Sequence, residues 1–504
     1  MFRRLCLLLI PIMLVSCSKY NDKPRETAAP GFVYLEGTNF ALDGMPWFPM
    51  MINYKVDWHG TEMVPASYYG DSGSMMDHFL MMSEAGFNSV RVCMDVVNSD
   101  DKGFFFNSEA YLVRDSAAIF SSVGRMLDCA DSAGLRVMLL IRKPVDDDVA
   151  VFTQALLRHF AGCKTLFAYD FFNEPLYFDE QKDRTKKEAY DLVKEWRGWM
   201  DKYAPHQLFT VALSEPIEVF VWDASILPVD FVEIHTYHPM RVCNEMYWYG
   251  NAIGKPWMVG ETALPADGET VSFEAQREFF LHTFSQALLN GACGYGWWEF
   301  GNCPQGVNFE AQYPGLFLPE PRPVLEEIRK LKSQGEPHIE KLKTDGIPTV
   351  YETYLWWAGE QKACSPAIEN YTNMLGYENI MLEGDIVDDR TGKPLAWAVI
   401  RGWNRDWSVG VNTFTDQNGH FCLFSNDSCV YFTLSAPGYQ TPPQFLKDDY
   451  QLNDSNGNPV LSVVLPNLKR EYQQIPLLEP MKDINRNNFK GYRGYLGTFR
   501  LKRL

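Results

Sequence analysis

From Phe32 to about Gln334 short apolar runs alternate with amphipathic stretches, the rhythm of repeated strand–helix units. Strands are predicted at Trp47–Asn53, Asn88–Val92, Arg136–Ile141, Leu166–Phe172, Leu208–Ala212, Phe231–Ile234, Trp257–Val259 and Ala292–Trp297. Helical stretches fall between them, among them Ser74–Ala85, Ser116–Ala133, Lys187–Lys202 and Phe273–Asn290. Eight strands with intervening helices in about 300 residues match the (β/α)8 TIM barrel, an α/β fold. The segment Phe40-Ala-Leu-Asp-Gly-Met-Pro46 predicts a hairpin with an Asp-Gly turn at the barrel floor.

After Gln334 the pattern changes. Residues 336–378 show no clear period and serve as a connecting region. From 379 to 466 short alternating runs are broken by the turns Asp388-Asp-Arg-Thr-Gly392, Asp416-Gln-Asn-Gly419 and Ala436-Pro-Gly438. That predicts a C-terminal all-β sandwich. Residues 467–504 are expected to be an extension without a core of its own. Its last 24 residues hold seven Lys/Arg against one Asp.

Arg3 and Arg4 precede the eleven-residue apolar run Leu5–Val15, too short for a bilayer that needs about 20 residues. It reads as a signal peptide over 1–17, and Leu14-Val15-Ser16-Cys17 resembles a lipobox with Cys17 as the lipidated residue. Polar residues 18–31 then form a tether. The expected location is the cell envelope, lipid-anchored at the outer membrane and facing the periplasm or the surface. Formal charge is 46 − 64 = −18, which excludes a general nucleic-acid binder, since phosphate neutralisation needs a cationic surface. Eleven cysteines include no CxxC or other metal spacing. A local bridge between Cys422 and Cys429 across a turn is the one pairing the sequence suggests. Aromatics at 14% suit a large core and also rings that stack on flat ligands.

In a parallel barrel, chemistry is built where strands end at their C-terminal edges. The fourth strand ends Asn173-Glu174-Pro175 and the seventh ends Val259-Gly260-Glu261. Two carboxylates facing across a pocket are the minimum equipment for glycoside hydrolysis, one protonating the leaving oxygen and the other attacking or activating water. The sixth ends His235-Thr-Tyr237-His238, where alternation turns His235 and Tyr237 to one side. A metal reading of His235 and His238 lacks an HExxH motif and a third ligand. The eighth ends Gly294-Tyr-Gly-Trp297-Trp298-Glu299, with glycines leaving room for a ligand and an indole as a floor for a sugar. No GxSxG elbow or P-loop is present, which sets aside esterase and nucleotide-dependent readings.

Taken in order, Asn53-Tyr54, Arg91, Asn173-Glu174-Pro175, His235-Thr-Tyr237, Glu261 and Trp298 resemble glycoside hydrolase family 5 and the wider retaining clan of cellulases and β-mannanases, over residues 32–335. The resemblance implies an endo-β-1,4-glucanase or mannanase type of enzyme, with Glu174 as acid/base and Glu261 as nucleophile. It implies that Arg91 and Tyr237 support the nucleophile, Asn173 binds the sugar 2-hydroxyl, His235 lines the site and Trp298 forms a platform. No cofactor and no metal are expected; the partners are a β-glycan and, through Cys17, a membrane. An exo-acting β-glycosidase or transglycosylase and a non-catalytic glycan-binding lipoprotein are the alternatives. Two departures concern the sugar: Arg142-Lys143 stand at the end of strand three, where many members carry a histidine, and Trp297 and Trp298 compete as platform. Residues 384–439 resemble the carboxypeptidase regulatory-like sandwich, an accessory expected to act as a spacer, a docking surface or a carbohydrate-binding face.

Overall fold

The computed structural model describes residues 29–94, 116–237, 242–269, 271–306, 309–337, 380–408, 410–425, 427–460, 489 and 491–504. The expected leader, Cys17 and most of the tether lie outside these residues, as do His238 and nearly all of the connecting region.

Eight parallel strands close on themselves: Met50–His59, Ser89–Cys93, Arg136–Leu140, Leu166–Asn173, Leu208–Leu213, Val232–His235, Trp257–Glu261 and Tyr295–Trp297. Closure is direct, since Tyr295, Gly296 and Trp297 pair in parallel with Met50, Met51 and Ile52. This is the TIM barrel expected from the alternation. Helices Met75–Ala85, Ser116–Ser132, Lys186–Tyr203 and Phe273–Leu289 form part of the outer layer. The first and third of these start at capping boxes, on Ser74 with Asp77 and on Thr185 with Glu188. Each box satisfies amide donors that the first helical turn leaves without partners.

The floor is a three-stranded sheet, Val33–Glu36, Asn39–Leu42 and Met45–Pro46, whose turn places Asp43 and Gly44 at φ 50° and 83°. Its residues Val33 and Phe40 pack with the inward-facing Met51, Met138, Phe231 and Met258, so the bottom of the barrel is an apolar plug. Side chains alternate along each strand, so the next inward positions form a layer directly above this plug. That layer is where the polar residues begin.

The C-terminal part forms a five-stranded and a four-stranded sheet around their own core. One expectation is corrected here. The chain end is no free extension: Tyr492–Leu501 lies between Ile380–Asp388 and Leu452–Asn453 in the five-stranded sheet. The sandwich therefore runs past 466 to the end of the chain. It packs on the barrel, as Met381, Val399, Phe414 and Phe424 join the hydrophobic cluster of the barrel's outer layer. Cys422 is half-buried and Cys429 lies within the sandwich core, and no disulfide joins them, so the bridge the sequence suggested is not formed.

Candidate active site

Above the plug sits Arg91, fully buried in the middle of the second strand. Its guanidinium donates to Asn53 Oδ1 at 3.0 Å, to Asp170 Oδ2 at 2.7 Å, to Asn173 Oδ1 at 2.9 Å and to Glu261 Oε1. Its Nε lies 3.2 Å from Glu233 Oε1. These partners come from strands one, four, six and seven, which only an inward-pointing side chain reaches. Burial disfavours the charge on Arg91, but Glu233, Glu261 and Asp170 outweigh that and hold it firmly protonated. Room for this cluster comes from Gly260: a Cβ there would stand 2.0 Å from Glu233 Oε1.

At the mouth the two predicted carboxylates meet. His235 Nδ1 lies 2.8 Å from Glu174 Oε1 and 3.5 Å from Glu261 Oε2. One oxygen of each glutamate lies within 4.8 Å of the other. Glu261 is buried and also accepts a hydrogen bond from the Tyr237 hydroxyl. Burial alone would raise its pKa. His235 and Arg91, with the bonds from Tyr237 and Arg91, prevail and hold it below the usual carboxylate range. On His235 burial again opposes the charge, yet Glu261, Glu174 and Glu233 push it up to about 10. Glu174 is less enclosed and takes a left-handed backbone, φ 47°, at the junction of strand four with the short helix Pro175–Phe178. For a residue with a Cβ that conformation costs roughly 1–2 kcal/mol. Its amide is tied to Ala212 O at 3.0 Å. The junction turns the carboxylate into the mouth instead of along the strand.

Trp297 and Trp298 part company. Trp297 is buried, with its indole N–H on Pro314 O at 3.0 Å, whereas Trp298 is half-buried with Lys55 Nζ 5.1 Å from its ring centroid. Trp298 is thus the more exposed of the two indoles. The amide oxygen of Asn173 accepts from Arg91, so its NH2 is the side chain's donor group. Lys143, at the end of strand three, donates to Phe178 O and pairs with Glu180 at 3.1 Å.

Several residues of the site escaped the sequence reading. Asp170 and Glu233 hold Arg91 from below, and burial raises the Asp170 pKa against the pull of Arg91, to about 7. Their signal is a carboxylate at an inward position of an otherwise apolar strand. Glu299 accepts from Tyr68 at 2.9 Å, and its pKa is raised by burial to about 7. Tyr177 and Phe178, each more than half exposed, stand on the turn that follows Glu174.

Among the described residues two groups bring three metal-donor atoms within 4.8 Å: Glu174, His235 and Glu261 here, and Glu383, His420 and Cys422 in the sandwich. In the first group Arg91 and Tyr237 each donate to Glu261, and a cation there would face a buried guanidinium.

No protein-family model matches the chain, and no curated protein sequence matches it. Solved structures similar to it include an exo-β-1,4-mannosidase from Opitutaceae bacterium strain TAV5, at 13% identity and TM-score 0.48 over 94% of each chain. A GH5_18 protein from Streptomyces cattleya in complex with GlcNAc has 15% identity and TM-score 0.45 over 68% of this chain and 85% of its own. The β-mannanase of the blue mussel Mytilus edulis has 13% identity and TM-score 0.40 over 62% of this chain and 99% of its own.

Proposed function

We propose that this chain is a retaining β-glycoside hydrolase acting on a β-linked glycan of the mannan or glucan class. One observation carries the reading: the approach of Glu174 and Glu261, an oxygen of each within 4.8 Å of the other. Retaining enzymes hold their carboxyls about 5–5.5 Å apart, whereas inverting ones leave about 6.5–9.5 Å for a water. The electrostatics assign the roles. Glu261, kept ionised by Arg91, His235 and Tyr237, attacks the anomeric carbon and forms a glycosyl-enzyme. Glu174 gives its proton to the departing oxygen, then takes one from the water that releases the sugar with net retention. Asn173 offers its NH2 to the 2-hydroxyl and Trp298 its ring to the sugar face.

Glu261→Ala is expected to abolish turnover of an aryl β-glycoside, with azide restoring it and giving the α-glycosyl azide. Glu174→Ala is expected to lose about 10²–10⁴-fold on substrates whose leaving group needs a proton, with azide giving the β-glycosyl azide. Near-normal hydrolysis by either variant would refute the assignment. Binding without turnover across mannan, glucan, xylan and galactan would instead make the chain a glycan-binding lipoprotein. Product sizes released from a polymer separate endo from exo action.

The membrane partner rests on the apolar run Leu5–Val15 and on Cys17 behind it. Cys17→Ala is expected to move the protein from the membrane fraction to the soluble one and to abolish palmitate labelling. Unchanged fractionation would remove the anchor.

A further inference from the structure

The second donor cluster lies in the five-stranded sheet of the C-terminal part. Strands Ile380–Asp388 and His420–Ser425 pair antiparallel, with Glu383 opposite Cys422 and Asp385 opposite His420. Alternation puts all four side chains on one face, each half-buried. His420 Nε2 lies 3.2 Å from Glu383 Oε1 and 3.8 Å from Cys422 Sγ, and Cys422 Sγ lies 3.7 Å from Glu383 Oε1.

We propose that Glu383, His420 and Cys422 form a three-ligand Zn²⁺ site. Zinc binds thiolate at about 2.3 Å and imidazole or carboxylate at about 2.0–2.2 Å in a tetrahedron. Those bond lengths set ligand–ligand edges of about 3.3–3.5 Å between nitrogen and oxygen, and about 3.5–3.7 Å from sulfur to either. The three observed edges fall close to these values, so an ion fits with shifts of a few tenths of an ångström. The ring is also oriented for the task. His420 Nδ1 is bonded to Asp385 Oδ1 at 3.0 Å, and Asp385 Oδ2 accepts from the Tyr495 hydroxyl at 2.6 Å. A carboxylate on Nδ1 fixes the tautomer that leaves the Nε2 lone pair for a metal and raises its basicity. The donor set, one soft thiolate with imidazole and carboxylate, selects Zn²⁺ over Mg²⁺ or Ca²⁺. On binding, the Cys422 thiol gives up its proton to solvent and the ion bridges two strands.

The test uses the full chain, freed of metal with a chelator and titrated with ZnCl2 by calorimetry. One saturable site per chain is expected, with MgCl2 producing none. Cys422→Ser and His420→Ala are expected to lose at least about tenfold in affinity, and Asp385→Asn about 10–100-fold, as for other groups that orient a ligand. Cys429→Ser, in the sandwich core, is expected to bind as the parent does. CoCl2 gives a second readout on the unmutated chain: a thiolate-to-cobalt charge-transfer band and the intense visible bands of a tetrahedral site. Zinc is also expected to shield Cys422 from iodoacetamide, read by mass spectrometry. The proposal is overturned by the absence of a saturable site, which leaves an ion pair of His420 with Glu383 and Asp385. It is equally overturned if zinc binding survives Cys422→Ser and is lost in Glu261→Ala, which places the ion at the barrel mouth.

Discussion

Glu261 is charged because its neighbours oppose its burial, and removing one of them has a calculable sign. Hydrogen bonds to charged groups contribute about 1.5–3 kcal/mol, so Tyr237→Phe is expected to lose roughly 10–150-fold in kcat/KM. In Arg91→Met the enclosure of Glu261 stays while a cation beside it goes, so its pKa moves up. Activity needs the ionised form, and the acid limb of the kcat/KM profile therefore moves to higher pH, with partial recovery as pH rises. An acid limb that stays in place would mean that Arg91 only holds the fold. At this scale the sequence was legible where a residue stands at a strand end, as Glu174 and Glu261 do. It was not legible for Asp170 and Glu233, which sit inside strands. Bulges between Asp170 and Asn173 and at Ile234/His235 further break the alternation that assigns faces.

Elements carry the site as much as residues do. The short helix Pro175–Phe178 is pinned by Glu218, whose Oε1 accepts from Leu176 N at 3.0 Å and from the Ser214 hydroxyl at 3.2 Å. Burial pushes Glu218 up to about 8, against about 4.3 in an unfolded chain. Between those values the folded state keeps a proton that the unfolded state has lost. This group's share of stability is complete below about pH 4.3 and is lost as pH rises through about 8. Glu218→Gln keeps the accepting oxygen and removes the titration. Its melting temperature is expected to fall less than the parent's between about pH 5 and 8; equal slopes would show that Glu218 is not the group responsible. Element positions were largely readable, because buried strands and capped helices each have a local pattern. Tyr492–Leu501 was not. Its cations Arg493 and Arg500 read as a solvated tail, and the strand it joins begins at Ile380, more than a hundred residues earlier. Pairing across that separation leaves no local signature.

The barrel and the sandwich share a buried polar seam. Lys186 Nζ, enclosed on all sides, bonds Asp223 Oδ2 at 2.8 Å and Ala436 O at 2.9 Å, and Asp223 also accepts from Gly438 N at 2.8 Å. Nearby, Trp248 donates its indole N–H to Trp397 O at 3.0 Å, and the rings of Tyr247 and Trp397 lie 5.5 Å apart. A lysine and an aspartate are tolerated in such a place only as partners, because each alone carries an uncompensated desolvation penalty. Lys186→Ala removes one partner and strands the other, a loss of about 3–5 kcal/mol for a buried pair. The loss falls on the contact between the two parts and not on either core. In calorimetry the parent is therefore expected to unfold in one transition, with the barrel and sandwich melting together. Lys186→Ala is expected to split that transition, with the first step exposing Trp248 to solvent and shifting its fluorescence to the red. A single transition that merely moves to lower temperature would place the lost energy within the barrel and make the seam incidental to how the chain holds together.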